Sequence, residues 1–176
     1  KPAADSPVAH LVRHYDIKSR NVISHIRKAT QGRTTLENTH PFQRELWGGY
    51  WLFAHNGNLS AEFQPQTTYY QAVGCTDSER AFCYLLDQLR SRFSRKPGND
   101  ELFDALAELC AQVREYGMFN MILSDGNVMF AHASTLLHYI VRQPPFGHAH
   151  LVDEDLEIDF STVTTPDDRV AVITTL

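Results

Sequence analysis

The sequence predicts an α+β fold, and three observations carry that prediction. Apolar residues recur at helical spacing over two consecutive stretches, Thr76 to Arg92 and Asn99 to Val113. Elsewhere the period falls to two, as half-buried strands require. Asp125-Gly126 lies between two such runs and is the clearest hairpin signal in the chain. Strands, two helices and strands again, with no βαβ repeat, describe helices packed on antiparallel sheet.

In chain order, Val8 to His14 suits a short helix and Ile17 to Arg20 a turn. Asn21 to Ile26 is β-branched and partly alternating, which predicts a strand with Arg27 just past its end. From Thr30 to Gly49 the mixture of Gly, Thr, Asn and Pro predicts an ordered loop. Leu52-Phe53-Ala54 reads as a brief strand. Asn56-Gly57 then suits a tight reversal at positive φ.

Thr76-Asp77-Ser78-Glu79 has the form of a capping box, with Thr76 as the cap and Glu79 reaching back to it. Phe82, Leu85, Leu86, Leu89 and Phe93 give that helix its apolar face. Pro97-Gly98 breaks the chain, and Asn99 is positioned to cap a second helix faced by Leu102, Phe103, Leu106, Leu109, Cys110 and Val113. Gly117 suits its C-terminal end. Phe119–Ser124 and Asn127–Ala133 flank the hairpin. His138–Arg142, the alternating Leu156, Ile158 and Phe160, and Arg169–Thr174 complete the predicted strands, with a loop at Pro144–Gly147.

At 176 residues the chain suits a single domain spanning 1–176. Sixteen Lys and Arg against 21 Asp and Glu, with no basic run, argue against nucleic acid as a partner. No stretch approaches the ~20 apolar residues of a membrane span. Cys75, Cys83 and Cys110 form no Cys-x-x-Cys pair, so reduced thiols in a cytoplasmic protein are expected rather than disulfides or a zinc site. No metal and no cofactor is predicted. His25, His40 and His55 can approach one another only through the fold.

Four stretches carry the chemistry. They are His25-Ile26-Arg27-Lys28-Ala29-Thr30-Gln31-Gly32, Glu37-Asn38-Thr39-His40-Pro41-Phe42, His55-Asn56-Gly57 and Gly74-Cys75-Thr76-Asp77-Ser78-Glu79. In this order and spacing the sequence resembles class-II glutamine amidotransferase domains, members of the N-terminal-nucleophile hydrolases. The likeness is greatest to small stand-alone bacterial members, some of whose relatives hydrolyse γ-glutamyl compounds.

The resemblance implies a four-layer α-β-β-α sandwich of antiparallel sheets. It also implies a nucleophilic cysteine at the mature N-terminus, several dozen residues before the Arg27 motif. That cysteine is expected to lie outside a chain that starts at Lys1, which leaves these residues inactive on their own. In the family's pattern Arg27 holds the α-carboxylate of glutamine and Asp77 its α-amino group, a clamp on the two charges of an amino-acid head. A planar guanidinium can meet a carboxylate through two parallel hydrogen bonds. Thr30 orders the loop and reaches the substrate, and His55 joins the substrate-binding set. The Asn56 amide and the Gly57 N–H supply the oxyanion donors. Asn38 and His40 read as structural loop residues.

The activity so implied is release of ammonia from the glutamine side-chain amide through a γ-glutamyl thioester. Two alternatives stay open: hydrolysis of γ-glutamyl amides or peptides by the same site, and a non-catalytic binder of glutamine-like ligands. The partner is a small-molecule substrate, with room for an ammonia-accepting partner protein and for a homo-oligomer. Arg27→Lys keeps the charge and loses the fork, so calorimetry should find affinity for glutamine or glutamate lower by roughly tenfold, about 1.4 kcal/mol. Unchanged binding in both Arg27→Lys and Asp77→Asn would remove the clamp.

Overall fold

A computed structural model of the chain describes residues 7–15, 19–25, 35–150 and 157–175. The expected helix near the start is present as α1, Pro7–His14. The chain divides into two compact units, one ending at Thr135 and one beginning at Leu136.

The first unit is built on a four-stranded antiparallel sheet in the order β1-β2-β3-β4: Phe42–Leu46, Gly49–Leu59, Gly117–Ser124 and Met129–His132. Between β2 and β3 run the two predicted helices, α2 (Asp77–Arg92) and α3 (Asn99–Val113). The α+β class expected from the sequence is the class observed. In β2 the side chains of Trp51, Phe53 and Leu59 are buried, and across the ladder Leu123 and Phe119 continue the same face. Phe82, Leu85, Leu86 and Leu89 of α2 and Leu102, Leu106, Leu109 and Val113 of α3 complete this core. The Phe53 and Phe82 rings stack at 5.0 Å. Each such side chain contributes about 1.5–3 kcal/mol by leaving water.

Several local readings change. Residues 30–49 are not all loop, because Phe42–Leu46 pairs antiparallel with β2. The two-residue connection Trp47-Gly48 has φ of 58° and 79°, so both residues are left-handed, as a type I′ hairpin needs. Trp47 is held there by its indole N–H, which donates to the Phe93 carbonyl at 3.0 Å. The predicted strand over Asn21–Ile26 is absent as far as residues 21–25 are described; no ladder forms there, and Asn21 donates its side-chain amide to the Gly126 carbonyl at 2.6 Å. The expected turn over 17–20 lies partly outside the described residues.

Thr76 caps α2 as predicted, accepting from the Glu79 N–H at 3.2 Å. Glu79 does not reach back. Its carboxylate accepts from the backbone N–H groups of Val73 and Gly74, at 3.0 and 2.7 Å, and pairs with the Arg44 guanidinium of β1. Asn99 is the first residue of α3 rather than its cap; Gly98 holds that position without a side-chain bond. Asp87 anchors the segment before α2, accepting from the N–H groups of Thr68, Tyr69 and Tyr70.

The second unit holds two antiparallel ribbons. β5 (His138–Arg142) pairs with β8 (Val170–Thr174), and β6 (His148–His150) with β7 (Glu157–Asp159). β5, β7 and β8 are expected from the sequence; β6 is not, because His148-Ala149-His150 carries no apolar alternation. Among the described residues no helix is long and apolar enough to cross a membrane.

Glu79 is 1% exposed and serves three donors, so its loss should be felt throughout the first unit. Removing one partner of a buried ion pair costs about 3–5 kcal/mol. Urea titration should show that loss in Glu79→Ala, and a smaller one in Glu79→Gln, whose amide oxygen can still accept.

Candidate active site

Asn56 and Gly57 lie within β2, not in a turn beyond it. The strand runs on to Leu59, with Asn56 opposite Asn120 and Gly57 opposite Phe119. Gly57 does not have positive φ. A Cβ there would stand 2.6 Å from His55 Nε2, and closer still to the Met118 carbonyl oxygen. Crowding from the neighbouring strand, not reversal of the chain, is what requires glycine at this position.

Side chains alternate along a strand, so His55 and Asn56 take opposite faces. His55 faces the helices and is 3% exposed, whereas Asn56 and Gly57 are exposed. Asn120, also 3% exposed, donates to the Asn56 carbonyl at 3.2 Å and to Thr135 Oγ1 at 2.8 Å. Its own oxygen accepts from the Ser134 and Thr135 N–H groups. Sequence reasoning missed Asn120, although a lone amide in the apolar run Phe119-Asn120-Met121 was the available signal.

The first turn of α2 brings Asp77 to the end of β2. One carboxylate oxygen accepts from the Leu59 N–H at 2.7 Å, and the other from the Ser78 N–H at 2.8 Å. Ser78 Oγ lies 2.9 Å from His55 Nδ1, and His55 Nε2 lies 3.1 Å from the Met118 carbonyl. A carbonyl can only accept, so Nε2 carries the proton; in the neutral ring Nδ1 then accepts from the Ser78 hydroxyl. Burial lowers the His55 pKa from its ordinary value, His25 adds to that, and Asp77 and the Met118 bond oppose it.

The fold brings two of the three histidines named above together. The His25 and His40 rings are 4.3 Å apart, and His40 packs on Phe42 at 4.5 Å. Asn38, 2% exposed, accepts from the Cys75 N–H at 3.0 Å and so ties its segment to the entrance of α2. Arg27 and Thr30 lie outside the described residues. Among the described residues no group of His, Cys, Asp and Glu is arranged to hold a metal ion. One His-x-x-x-His spacing, His10 to His14, lies on α1; its rings stack at 4.0 Å and His14 Nδ1 is 2.8 Å from the His10 carbonyl.

Burial pushes the Cys83 thiol up to about 11 and the Cys110 thiol up to about 12, so neither is a ready nucleophile. Cys75 is exposed.

The family described as "Glutamine amidotransferases class-II" matches residues 1–176. The chain is 52% identical over 176 residues to "Putative glutamine amidotransferase YafJ" of Escherichia coli K12, covering 99% of this chain and 69% of that one. It is 50% identical over 173 residues to "Putative glutamine amidotransferase" of Haemophilus influenzae, covering 98% of this chain and 59% of its relative. A 2.0 Å crystal structure titled as a predicted glutamine amidotransferase from Pseudomonas aeruginosa superposes with a TM-score of 0.73 at 50% identity. That match covers 80% of this chain and 55% of the solved one. The chain thus spans between 55% and 69% of the length of these three proteins.

Gly57→Ala should lower stability by about 1–3 kcal/mol, the usual cost of overpacking. Thermal melting should detect that loss, while Gly98→Ala, with nothing within 4 Å of the added carbon, should be mild.

Proposed function

The chain belongs to the class-II glutamine amidotransferases, and on that premise we propose that it is the glutaminase domain of a longer protein. In this reading the attacking group is the thiol of an N-terminal cysteine outside these 176 residues. Its sulfur bonds to the γ-amide carbon and its α-amine takes the thiol proton. The proton passes to the departing nitrogen, the C–N bond breaks and ammonia leaves. Water then hydrolyses the γ-glutamyl thioester to glutamate and returns the free thiol, while the ammonia passes to solvent or to a coupled site that consumes it. The sheet of the first unit is one of two in the four-layer sandwich of N-terminal-nucleophile hydrolases. Its face opposite the helices carries Asn56.

One observation carries the reading. Asp77 is fastened to Leu59 at the end of the same strand on which Asn56 and Gly57 are exposed. Three residue steps along the strand lead from Asn56 to Leu59, about 10 Å. An acid for the substrate's ammonium end is therefore fastened to the strand that carries the donors for its amide end. Asp77 takes the α-amino group, Arg27 the α-carboxylate, and Thr30 orders the loop between. Asn56 and Gly57 donate to the oxygen of the tetrahedral intermediate. His55, whose two ring nitrogens are engaged within the protein, shapes the site from behind.

Asn56→Asp decides whether the amide donates to a developing oxyanion. The change points negative charge at negative charge, and should lower kcat by at least about a hundredfold. KM for glutamine should change little, since the clamp grips the other end. Glutamate release and thermal melting, measured on the same preparation of the full-length protein, test this together. Near-normal turnover in a stably folded Asn56→Asp protein would overturn the oxyanion assignment.

A further inference from the structure

We propose that Ser78 and His55 form a positioning pair: a neutral imidazole, protonated at Nε2, grips the Ser78 hydroxyl on one side and the Met118 carbonyl on the other, and thereby fixes Asp77 at the end of β2. The inference rests on the reading of Asp77 as the acid that receives the substrate's ammonium group.

The first turn of α2 is fastened to β2 at two points. One is the Asp77 carboxylate on the Leu59 N–H at 2.7 Å, and the other is the Ser78 hydroxyl on His55 Nδ1 at 2.9 Å. The Ser78 N–H in turn donates to the second Asp77 oxygen at 2.8 Å. A serine fixed at its hydroxyl therefore fixes the carboxylate beside it. His55 transmits the hold to β3, because its Nε2–H donates to the Met118 carbonyl at 3.1 Å. That same carbonyl crowds Gly57. One buried ring thus links the acid at the strand end to the glycine that lies two residues along from it.

The Ser78 hydroxyl also stands 3.4 Å from Asp77 Oδ1. A doubly protonated ring would donate from Nδ1 to that hydroxyl and turn its proton toward Asp77, whereas a neutral ring protonated at Nε2 accepts from it. The groups acting on the ring from its neighbours are Asp77 of α2 and His25 of the preceding segment, with Phe53 and Phe119 packed on it at 6.5 and 5.0 Å. Burial among them favours the neutral ring. Ser78 is 6% exposed and His55 3%, so neither meets substrate directly. Both act through Asp77 and Gly57.

The test uses the full-length protein and reads the pair both without and with turnover. Nitrogen-15 spectra of the His55 ring should show a neutral Nε2–H tautomer at pH 7. Amide exchange at Leu59 reports directly on the Asp77 carboxylate. Ser78→Ala should accelerate it roughly tenfold while leaving Leu106, in the body of α3, unchanged, and Ser78→Thr, which keeps the hydroxyl, should restore it. Ser78→Ala should also raise KM for glutamine by roughly tenfold with kcat within about threefold. A proton on Nδ1, or Leu59 exchange unchanged in a folded Ser78→Ala protein, would overturn the pair. If the wild-type protein released no glutamate from glutamine, the functional reading would fall, and the ring and exchange measurements would still judge the pair by themselves.

Discussion

Two carboxylates in the first turn of α2 hold the first unit together at the point where its chemistry is expected. Asp77 fastens that turn to the end of β2 through the Leu59 N–H. Glu79 faces the other way and fastens it to Arg44 of β1 and to the Val73 and Gly74 N–H groups. The backbone at a helix N-terminus presents unpaired N–H groups and a partial positive charge, which favours acidic residues there. Here that local preference places two anions in one turn, and each is used to recruit a different part of the unit. Gly74 belongs to the same joint. A Cβ at that position would meet the Glu37 carbonyl at 2.8 Å and the Glu79 carboxylate at 3.0 Å, so the segment before α2 can lie against residues 37–38 only without a side chain.

How much of this was legible in the sequence depended on whether the cause was local. The two helices, the Thr76 cap and the hairpin at Asp125-Gly126 are specified by residues within a few positions of one another, and they were readable. The β1–β2 hairpin was hidden because its turn puts Trp47, a bulky residue, at φ 58°. Only contacts with Phe93 and Trp51, distant or across the hairpin, make that conformation tolerable. Glu79 was misassigned for a related reason. The capping-box pattern is satisfied in sequence, yet Arg44 and the 73–74 backbone offer the carboxylate more donors than the cap does.

The site shows the same division. Asn56-Gly57 has the composition of a reversal, and local reasoning accordingly assigned one. The glycine instead answers to a carbonyl on the adjacent strand, which no local pattern reveals. Ser78 lay unnoticed inside a capping motif because its importance depends on His55, 23 residues earlier. Asn120 was likewise recognisable only as a polar interruption until its four hydrogen bonds to residues 56, 134 and 135 were in view.

The alternation of β2 has an evolutionary consequence. Trp51, Phe53, His55 and Leu59 occupy odd positions and are buried under the helices, whereas Asn56 and Asn58 are exposed at even positions. Packing and the proposed ligand chemistry therefore fall on different residues of one strand. On the function proposed above, Asn56 and Asn58 can change without reopening the core filled from the other face. Gly57 is the exception. It is an odd position with no side chain to offer, constrained by the neighbouring strand while its backbone is exposed, and so it is the residue of β2 least free to drift.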